Sequence, residues 1–241
     1  MQLTRSAIMA TAAGYLIGSI PNGVLVGKLS RGIDVRASGS GSMGTTNVLR
    51  VIGHKEAAAV FVLDVAKGAV AVAVADMCGA TERERAVAAA AAMIGHSYPC
   101  FADFHGGKSV ATAFGGMLMV APGPALCGAC SAMAALAVTR TMSVASLTGA
   151  GGAIAGATAW HMRHQMRSRK AAAGLLFSVS AASIILWRHR ANIKRIVNNE
   201  EPQIGEALKC DLPGTLRDVG AGARSRPQGS PASRKPTSAL R

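Results

Sequence analysis

The chain has 241 residues and a formal net charge of +14, yet half of its residues are hydrophobic and only 16% are charged. Soluble domains carry about 25% charged residues, and apolar stretches near 20 residues long are typical of helices that cross a bilayer. Lys and Arg flank these stretches and form no aromatic-interleaved patch. The composition therefore argues against an ordinary soluble domain and against a nucleic-acid partner.

Seven apolar segments follow one another along the chain and are the predicted helices. They are residues 6–29, 56–79, 86–100, 109–120, 125–138, 143–160 and 171–187. Two or three of them are shorter than the ~20 residues that a perpendicular span requires. The first contains Gly18, Pro21 and Asn22, which predicts a kink that faces other helices. We therefore predict an all-α integral membrane protein of about seven transmembrane helices, with short re-entrant or half-length helices.

The chain divides into a polytopic membrane domain, residues 1–201, and a basic tail, residues 202–241. The tail is rich in Pro, Gly, Ser and Arg and has no hydrophobic periodicity, which predicts disorder. The basic loops at 30–54 and 100–108 fit a cytoplasmic position together with the C-terminus. The turn at 161–170 would then lie outside, and its four basic residues conflict with the positive-inside tendency.

The polar segment after the first helix contains a glycine-rich stretch, GSGSMGTTNVLR, at residues 39–50. Its G-x-G-x-x-G spacing occurs in dinucleotide-binding loops, but those loops follow a β-strand and this one follows a membrane helix. Glycines expose backbone N–H groups, the hydroxyl side chains add donors, and Arg50 adds a guanidinium, so the stretch suits a phosphate group. An ordinary flexible loop with a helix cap is the alternative that this segment leaves open.

A second candidate loop lies in GHSYPCFADFHGGKSVATAFGG, residues 95–116. Its Gly107-Lys108-Ser109 is similar to the end of a P-loop, but Ala102 stands where that motif requires glycine, which argues against a nucleotide triphosphatase. Gly106 and Gly107 still place a flexible backbone beside the Lys108 ammonium at a predicted helix start, and both features favour phosphate. A lysine that snorkels to the membrane interface is the alternative.

Two later segments place polar residues at the ends of predicted helices. Arg140 and Ser143 lie at the start of a span, and His189 and Asn192 share one helical face by their i, i+3 spacing. The cations from Arg188 to Arg195 are typical of a cationic stop at the cytoplasmic interface.

One carboxylate, Asp64, lies inside a predicted span. A charge in a span is costly and is usually functional or paired inside the protein. Lys67 lies on the same helical face by i, i+3 spacing, so we predict that Asp64 forms a structural ion pair with Lys67 or with a loop arginine rather than taking part in catalysis.

Five ordered segments resemble the motifs of the bacterial PlsY family, the membrane acyl-phosphate:glycerol-3-phosphate acyltransferases. The family patterns are GSGNPGATN followed by arginine, F-x-L-D-x-x-K-G, GHxYPxFxxFKGGKGVAT, R-x-x-S-x-x-S and RHRxNIxRL. They correspond to residues 39–50, 61–68, 95–112, 140–146 and 188–196, in this order. The agreement covers about residues 14–197. Departures stand at Ser42, Met43, Thr45, His105, Ser109 and Asn198-Asn199.

The resemblance implies a multi-pass enzyme of the bacterial inner membrane, with its active site facing the cytoplasm. It implies transfer of a fatty acyl group from acyl phosphate to glycerol 3-phosphate, giving lysophosphatidic acid for phospholipid biosynthesis. It implies no cofactor and no metal, with membrane lipid around the chain and functional coupling to the soluble enzyme that makes acyl phosphate. A small-anion or lipid transporter and a non-catalytic lipid-binding scaffold are the alternatives that the cationic loops leave open.

The resemblance also assigns residues to roles. Those implied as catalytic are Lys108, Arg50, Ser143 and His189. Those implied for substrate binding are Ser40, Gly41, Gly44, Thr45, Asn47, Gly106, Gly107 and Asn192. Because an acyl phosphate is already activated and the motifs are poor in carboxylates, we expect a substrate phosphate oxygen to accept the proton. His189 is then expected to position a substrate rather than to act as the base.

Overall fold

A computed structural model describes residues 4–164 and 168–205 of the chain, so most of the tail and the middle of the 161–170 turn lie outside the described residues. Within these ranges the regular structure is helical. The α-helices are α1 Arg5–Gly18, α2 Asn22–Arg31, α3 Thr45–Val51, α4 His54–Met77, α5 Glu82–Ser97, α6 Val110–Val120, α7 Pro122–Thr139, α8 Met142–Arg163, α9 Arg169–Arg188 and α10 Arg190–Val197. A single 3-10 turn, Val35–Ala37, lies between α2 and α3. The all-α prediction is confirmed.

The helices are those of a membrane protein by length and composition. Four segments in the described part of the chain are long and apolar enough to cross a bilayer: the α1–α2 pair over Arg5–Arg31, α4, α7 and α9. The apolar α6 has only 11 residues, as the predicted half-length helix requires. Large apolar side chains such as Met9, Val62 and Met133 are exposed on the helix surfaces, where lipid would cover them.

Helix packing depends on small residues, as expected in lipid, where close backbone approach drives association. A Cβ at Gly18 of α1 would overlap the carbonyl of Ala92 on α5, and a Cβ at Gly115 of α6 would overlap the carbonyl of Val65 on α4. The largest cluster of buried apolar residues joins α4, α5, α6 and α9 around Phe177 and Met93. These contacts hold the loops at one end of the bundle in fixed positions.

The predicted kink in the first span is a true break, and the buried ion pair supports it. The α1–α2 chain is interrupted between Gly18 and Asn22, and the carbonyl of Ile20 accepts from the Asn22 N–H at 3.0 Å in a tight turn instead of making an α-helical hydrogen bond. Lys67 Nζ donates to that carbonyl at 3.0 Å and pairs with Asp64 Oδ1 at 3.0 Å. Asn22 Nδ2 donates to the same carboxylate oxygen at 3.0 Å. Of the two predicted partners for Asp64, Lys67 is thus the observed one, while Asp64 also lines the polar cavity described below.

Helix ends differ from the predicted segments where capping residues extend them. Helix α5 begins at Glu82, four residues before the predicted segment 86–100, because Thr81 and Glu84 form a reciprocal capping box. Helix α7 begins at Pro122 rather than at residue 125, because proline is well tolerated in the first helical turn. The predicted segments were therefore too short at these ends, because a helix can begin with residues that do not belong to its apolar run.

Candidate active site

A polar cavity of about 140 Å³ lies at the end of the bundle where four connections meet. The four connections are the loop before α3, the loop before α6, the α7–α8 turn, and the α9–α10 junction. The chain after α10 also contributes to the cavity. The polar and charged residues that line it are Ser40, Ser42, Thr45, Thr46, Asn47, Arg50, Asp64, His96, Lys108, Ser109, Ser143, Ser146, His189, Asn192 and Glu201. Residues from all five sequence segments therefore meet at one place.

Asn47 organises the first loop. Its Oδ1 accepts hydrogen bonds from the Ser40 backbone N–H at 2.7 Å and from Ser40 Oγ at 3.1 Å. Its Nδ2 donates to the carbonyls of Val35, Ser38 and Ser42. The amide is 1% exposed and is occupied by the loop itself. These hydrogen bonds shape the loop, and Asn47 also lines the cavity, so its substrate contact stays a prediction.

The second loop places Lys108 at the cavity. Gly107 N–H donates to the carbonyl of His96 at 3.0 Å, and a Cβ at Gly107 would overlap the His96 ring. The two loops are joined by Arg36, whose Nη1 donates to the carbonyl of Ala102 at 2.8 Å. Gly106 and Gly107 are buried but do not line the cavity, and Gly41 does not line it either. The substrate contacts of these three glycines stay predictions.

Ser109 follows Lys108 in a left-handed conformation, with φ 61° and ψ 13°. Such a conformation favours glycine, and a side chain there costs roughly 1–2 kcal/mol. The buried hydroxyl offsets this cost because it donates to the carbonyl of Met93 at 2.6 Å and lies 2.6 Å from Ser97 Oγ. Serine thus fits a position where the family pattern has glycine.

Lys108 and Arg50 line the cavity together with the Glu201 carboxylate, whose charge acts on both cations at longer range than an ion pair. Among residues 4–164 and 168–205, neither side chain forms a hydrogen bond or an ion pair. Burial lowers the pKa of Lys108 to about 8, and the positive charges of Arg195, Arg50 and Arg188 add to the shift against the opposing effect of Glu201. Burial also lowers the pKa of Arg50. Two partly desolvated cations on one cavity are an arrangement that a phosphate dianion would neutralise.

His189 is held in one tautomer. Its Nδ1 lies 2.8 Å from the carbonyl of Ile185, and a carbonyl only accepts, so Nδ1 carries the proton. Nε2 then has a free lone pair that can accept from a hydroxyl group. Burial and the Lys108 charge lower the pKa of His189 to about 4, so the ring is neutral near pH 7. A neutral imidazole with a free acceptor suits an alcohol better than it suits a phosphate.

Ser143, Asn192 and Glu201 complete the wall next to His189. Asn192 Nδ2 donates to Glu201 Oε1 at 2.6 Å, and Arg195 Nε donates to Glu201 Oε2 at 2.7 Å. Burial raises the pKa of Glu201, but interactions with Asn192, Ser143 and Arg195 outweigh burial, so its pKa is lowered. The buried Ser143 hydroxyl thus lies beside the Glu201 carboxylate, although it forms no hydrogen bond of standard geometry within the described residues.

Glu201 is a site residue that the sequence does not suggest. A carboxylate is unexpected in a site for anions, and Glu201 lies at the edge of the predicted tail. The chain beyond it folds back on the bundle, since Ile204 N–H donates to the carbonyl of Arg140 at 2.8 Å. A hydrogen-bonded Glu201 therefore ties the segment after α10 to the cavity wall.

A second, apolar cavity of about 270 Å³ adjoins the polar one. It lies among α6, α7, α8 and α9 and is lined by alanine, glycine and larger apolar side chains such as Phe114, Met133 and Leu136. Phe61, Val110, Ala111, Met142 and Ser146 line both cavities. A ligand with a charged head and a hydrocarbon chain can thus occupy both at once.

The family of this chain follows from its sequence over most of its length. A sequence model of the family described as glycerol-3-phosphate acyltransferase matches residues 8–199. The chain belongs to this family. It is an integral membrane acyltransferase, which favours the enzyme over the transporter and scaffold alternatives.

Similar proteins cover nearly the same length as this acyltransferase. The glycerol-3-phosphate acyltransferase of Synechococcus sp. (strain CC9902) is 40% identical over 204 residues, which is 85% of this chain and 98% of the relative. That of Anaeromyxobacter dehalogenans (strain 2CP-C) is 43% identical over 198 residues, 80% of this chain and 94% of the relative.

Solved structures show the same fold. The crystal structure of PlsY (YgiH), an integral membrane glycerol 3-phosphate acyltransferase, in its glycerol 3-phosphate form is 33% identical with a TM-score of 0.72. Its lysophosphatidic acid form is 32% identical with a TM-score of 0.71. Each comparison covers 83% of this acyltransferase and 96% of the other chain. The resemblance to the PlsY family is confirmed.

Proposed function

We propose that this acyltransferase moves a fatty acyl group from acyl phosphate to glycerol 3-phosphate and releases lysophosphatidic acid and inorganic phosphate. The observation that carries the proposal is a polar cavity lined by two cations, Lys108 and Arg50, which form no ion pair within the described residues. An apolar cavity adjoins it and shares part of its lining. Both proposed substrates carry a phosphate, and one also carries a hydrocarbon chain. The PlsY structures in glycerol 3-phosphate and lysophosphatidic acid forms support the same acceptor and product.

The chemistry follows from the positions of the side chains. Lys108 and Arg50 neutralise the phosphates and hold the leaving phosphate beside the acceptor. The acceptor hydroxyl oxygen attacks the acyl carbonyl carbon, and the bond from that carbon to the phosphate oxygen breaks. The hydroxyl proton passes to a phosphate oxygen, so the products are the ester and hydrogen phosphate.

His189 orients the acceptor hydroxyl in this scheme. The free Nε2 accepts a hydrogen bond from the hydroxyl, while a pKa of about 4 makes the ring a weak general base. We expect His189→Gln, which keeps an acceptor, to recover much of the activity that His189→Ala loses, with no ionisation between pH 5 and 7 controlling the saturated rate. If Gln is as inactive as Ala while substrate affinity is intact, and the wild-type rate follows an imidazole ionisation, then His189 is the base.

The site is proposed to face the cytoplasm of a bacterium, with the protein in the inner membrane. The connections at the site's end of the bundle carry more Lys and Arg than those at the other end, which agrees with the positive-inside tendency. This orientation would give the site direct access to acyl phosphate from a soluble enzyme. Cysteine labelling with a membrane-impermeant reagent tests it, in an active background whose five native cysteines are replaced by serine or alanine. A single cysteine at residue 80 is expected to react in intact cells, and a single cysteine at residue 105 only after the cells are opened.

The donor is tested by comparing acyl phosphate, acyl-CoA and acyl carrier protein with the purified protein in detergent. We expect labelled glycerol 3-phosphate to be acylated with acyl phosphate alone. Lys194→Met serves as a control for charge, since Lys194 is exposed on α10 and does not line the cavity. Equal or faster turnover with acyl-CoA would overturn the proposed donor while leaving the acyltransferase assignment in place.

A further inference from the structure

The Arg188 side chain contacts the Lys108 loop from outside the cavity. Its Nε donates to the carbonyl of Gly107 at 3.0 Å, and its Nη2 donates to the carbonyl of Gly106 at 3.1 Å. The guanidinium therefore bridges two consecutive carbonyls just before Lys108. Arg188 does not line the cavity, so it is not placed to touch a substrate there.

The guanidinium is itself held in place. It lies over the Tyr98 ring with its central carbon 5.0 Å from the ring centroid. The Tyr98 hydroxyl accepts from Trp187 Nε1 at 3.0 Å, and the Tyr98 carbonyl accepts from the Tyr15 hydroxyl at 3.0 Å. The fork of Arg188 is thus stacked on a ring that α1 and α9 both fix.

The opposite side of the loop rests against α5. Gly107 N–H donates to the carbonyl of His96, and side chains at Gly106 or Gly107 would overlap His96. The Gly106–Gly107 backbone is consequently held between His96 and the Arg188 guanidinium. Glycine is flexible by nature, so this loop needs outside contacts to present one conformation.

We propose that Arg188 is a positioning residue that fixes the Gly106–Gly107 backbone and thereby aims Lys108 at the phosphate in the cavity. This deepens the proposed function and rests on it. It assigns Arg188 a role that a simple cationic stop at the membrane interface would not have. Lysine cannot replace it, because one ammonium lacks the planar fork that reaches two carbonyls and stacks on a ring.

The test uses full-length Arg188→Lys, Arg188→Gln and the matched control Arg190→Lys. Arg190 also stacks on an aromatic ring, that of Trp187, but it is exposed and, within the described residues, forms no hydrogen bond with Gly106 or Gly107. We expect Arg188→Lys to lose about 10- to 100-fold in kcat/KM, with both a lower kcat and a higher KM for glycerol 3-phosphate, because small misplacements carry losses of that size. Arg190→Lys is expected to stay within about twofold of the parent, as for an exposed surface side chain.

A second readout separates this proposal from the donor assignment. Inorganic phosphate should raise the thermal unfolding midpoint of the parent and of Arg190→Lys, and raise it less for Arg188→Lys. This holds whichever acyl donor is used. Parent-like kcat, KM and phosphate stabilisation in Arg188→Lys would overturn the proposal.

The proposal stays testable if the Arg188 variants fail to fold. Tyr98→Leu removes the stacking face and is expected to show the same pattern to a smaller degree, whereas Tyr98→Phe keeps the face and should be near normal. Equal kinetics in Tyr98→Leu and Tyr98→Phe would then contradict it.

Discussion

The ionisation of Lys108 gives a pH dependence that follows directly from the structure. In the proposed function Lys108 acts as a cation, and its pKa is lowered from the ordinary 10.5 to about 8, chiefly by burial. Activity that depends on its charge is therefore complete below pH 7 and is lost as the pH rises through 8. One pH unit above the pKa leaves about a tenth of the ammonium, so kcat/KM should fall about tenfold between pH 7 and pH 9.

The saturated rate should respond at higher pH than kcat/KM. A bound phosphate stabilises the ammonium and raises its pKa, so kcat falls later than kcat/KM. Lys108→Arg removes the ionisation altogether, because a guanidinium keeps its charge above pH 12. Its kcat/KM should be lower than that of the parent but flat from pH 7 to pH 9.

Glu201 and His189 are titratable groups that line the cavity with Lys108. The pKa values of both are lowered, which moves their ionisations further towards acid and away from this range. The pKa of Tyr98 is lowered by the hydrogen bond from Trp187, but its hydroxyl lies outside the cavity, and Tyr98→Phe should keep the parent profile. Initial rates at varied glycerol 3-phosphate give the profiles. The same fall in Lys108→Arg as in the parent would refute the assignment to Lys108.

Two further predictions concern stability and the chain end. Ser109→Ala keeps the left-handed strain and loses the buried hydrogen bonds, whereas Ser109→Gly loses the bonds but relieves the strain. We therefore expect Ser109→Ala to lower the free energy of unfolding by about 1 kcal/mol more than Ser109→Gly does. Reversible unfolding in detergent measures the difference, and equal values would contradict the strain argument. Truncation after residue 205 should leave turnover unchanged, because it keeps Glu201 and the Ile204 contact with Arg140, while truncation after residue 200 should lose most activity at similar expression. Full activity in the shorter chain would show that Glu201 is dispensable.

Most of the fold could be predicted because it follows from local patterns. Each of the seven segments predicted from apolar length contains a helix, and Pro21 predicted the break that divides the first into α1 and α2. The short, more polar helices α3 and α10 were not predicted, because they have no long apolar run. The pairing of Asp64 with Lys67 followed from i, i+3 spacing and the cost of a charge in lipid. Helix starts such as Glu82 were missed because a capping box extends a helix through polar residues that apolar patterning ignores.

The sequence predicted which residues form the site better than it predicted the role of each. The sequence brought Lys108, Arg50, Ser143, His189 and Asn192 together through the family resemblance, and all five line one cavity. Their individual roles remain proposals. Asn47 and Arg188 act on backbone carbonyls of loops whose conformations follow from tertiary contacts, so their partners could not be read from spacing. Glu201 was missed because its function depends on Asn192 and Arg195 arriving beside it.

The most direct test of the two-cation site is the saturated rate of Lys108→Met and Arg50→Met with acyl phosphate and glycerol 3-phosphate. Methionine keeps most of the side-chain volume and removes the charge, and Lys194→Met controls for loss of an exposed cation on the same side. Loss of a charged contact to phosphate costs several kcal/mol in a water-poor site, so each cavity variant should retain at most about 1% of the parent rate while inserting and folding normally. Lys194→Met should match the parent. Near-parent turnover in folded Lys108→Met or Arg50→Met would contradict the proposal that these cations bind the phosphates.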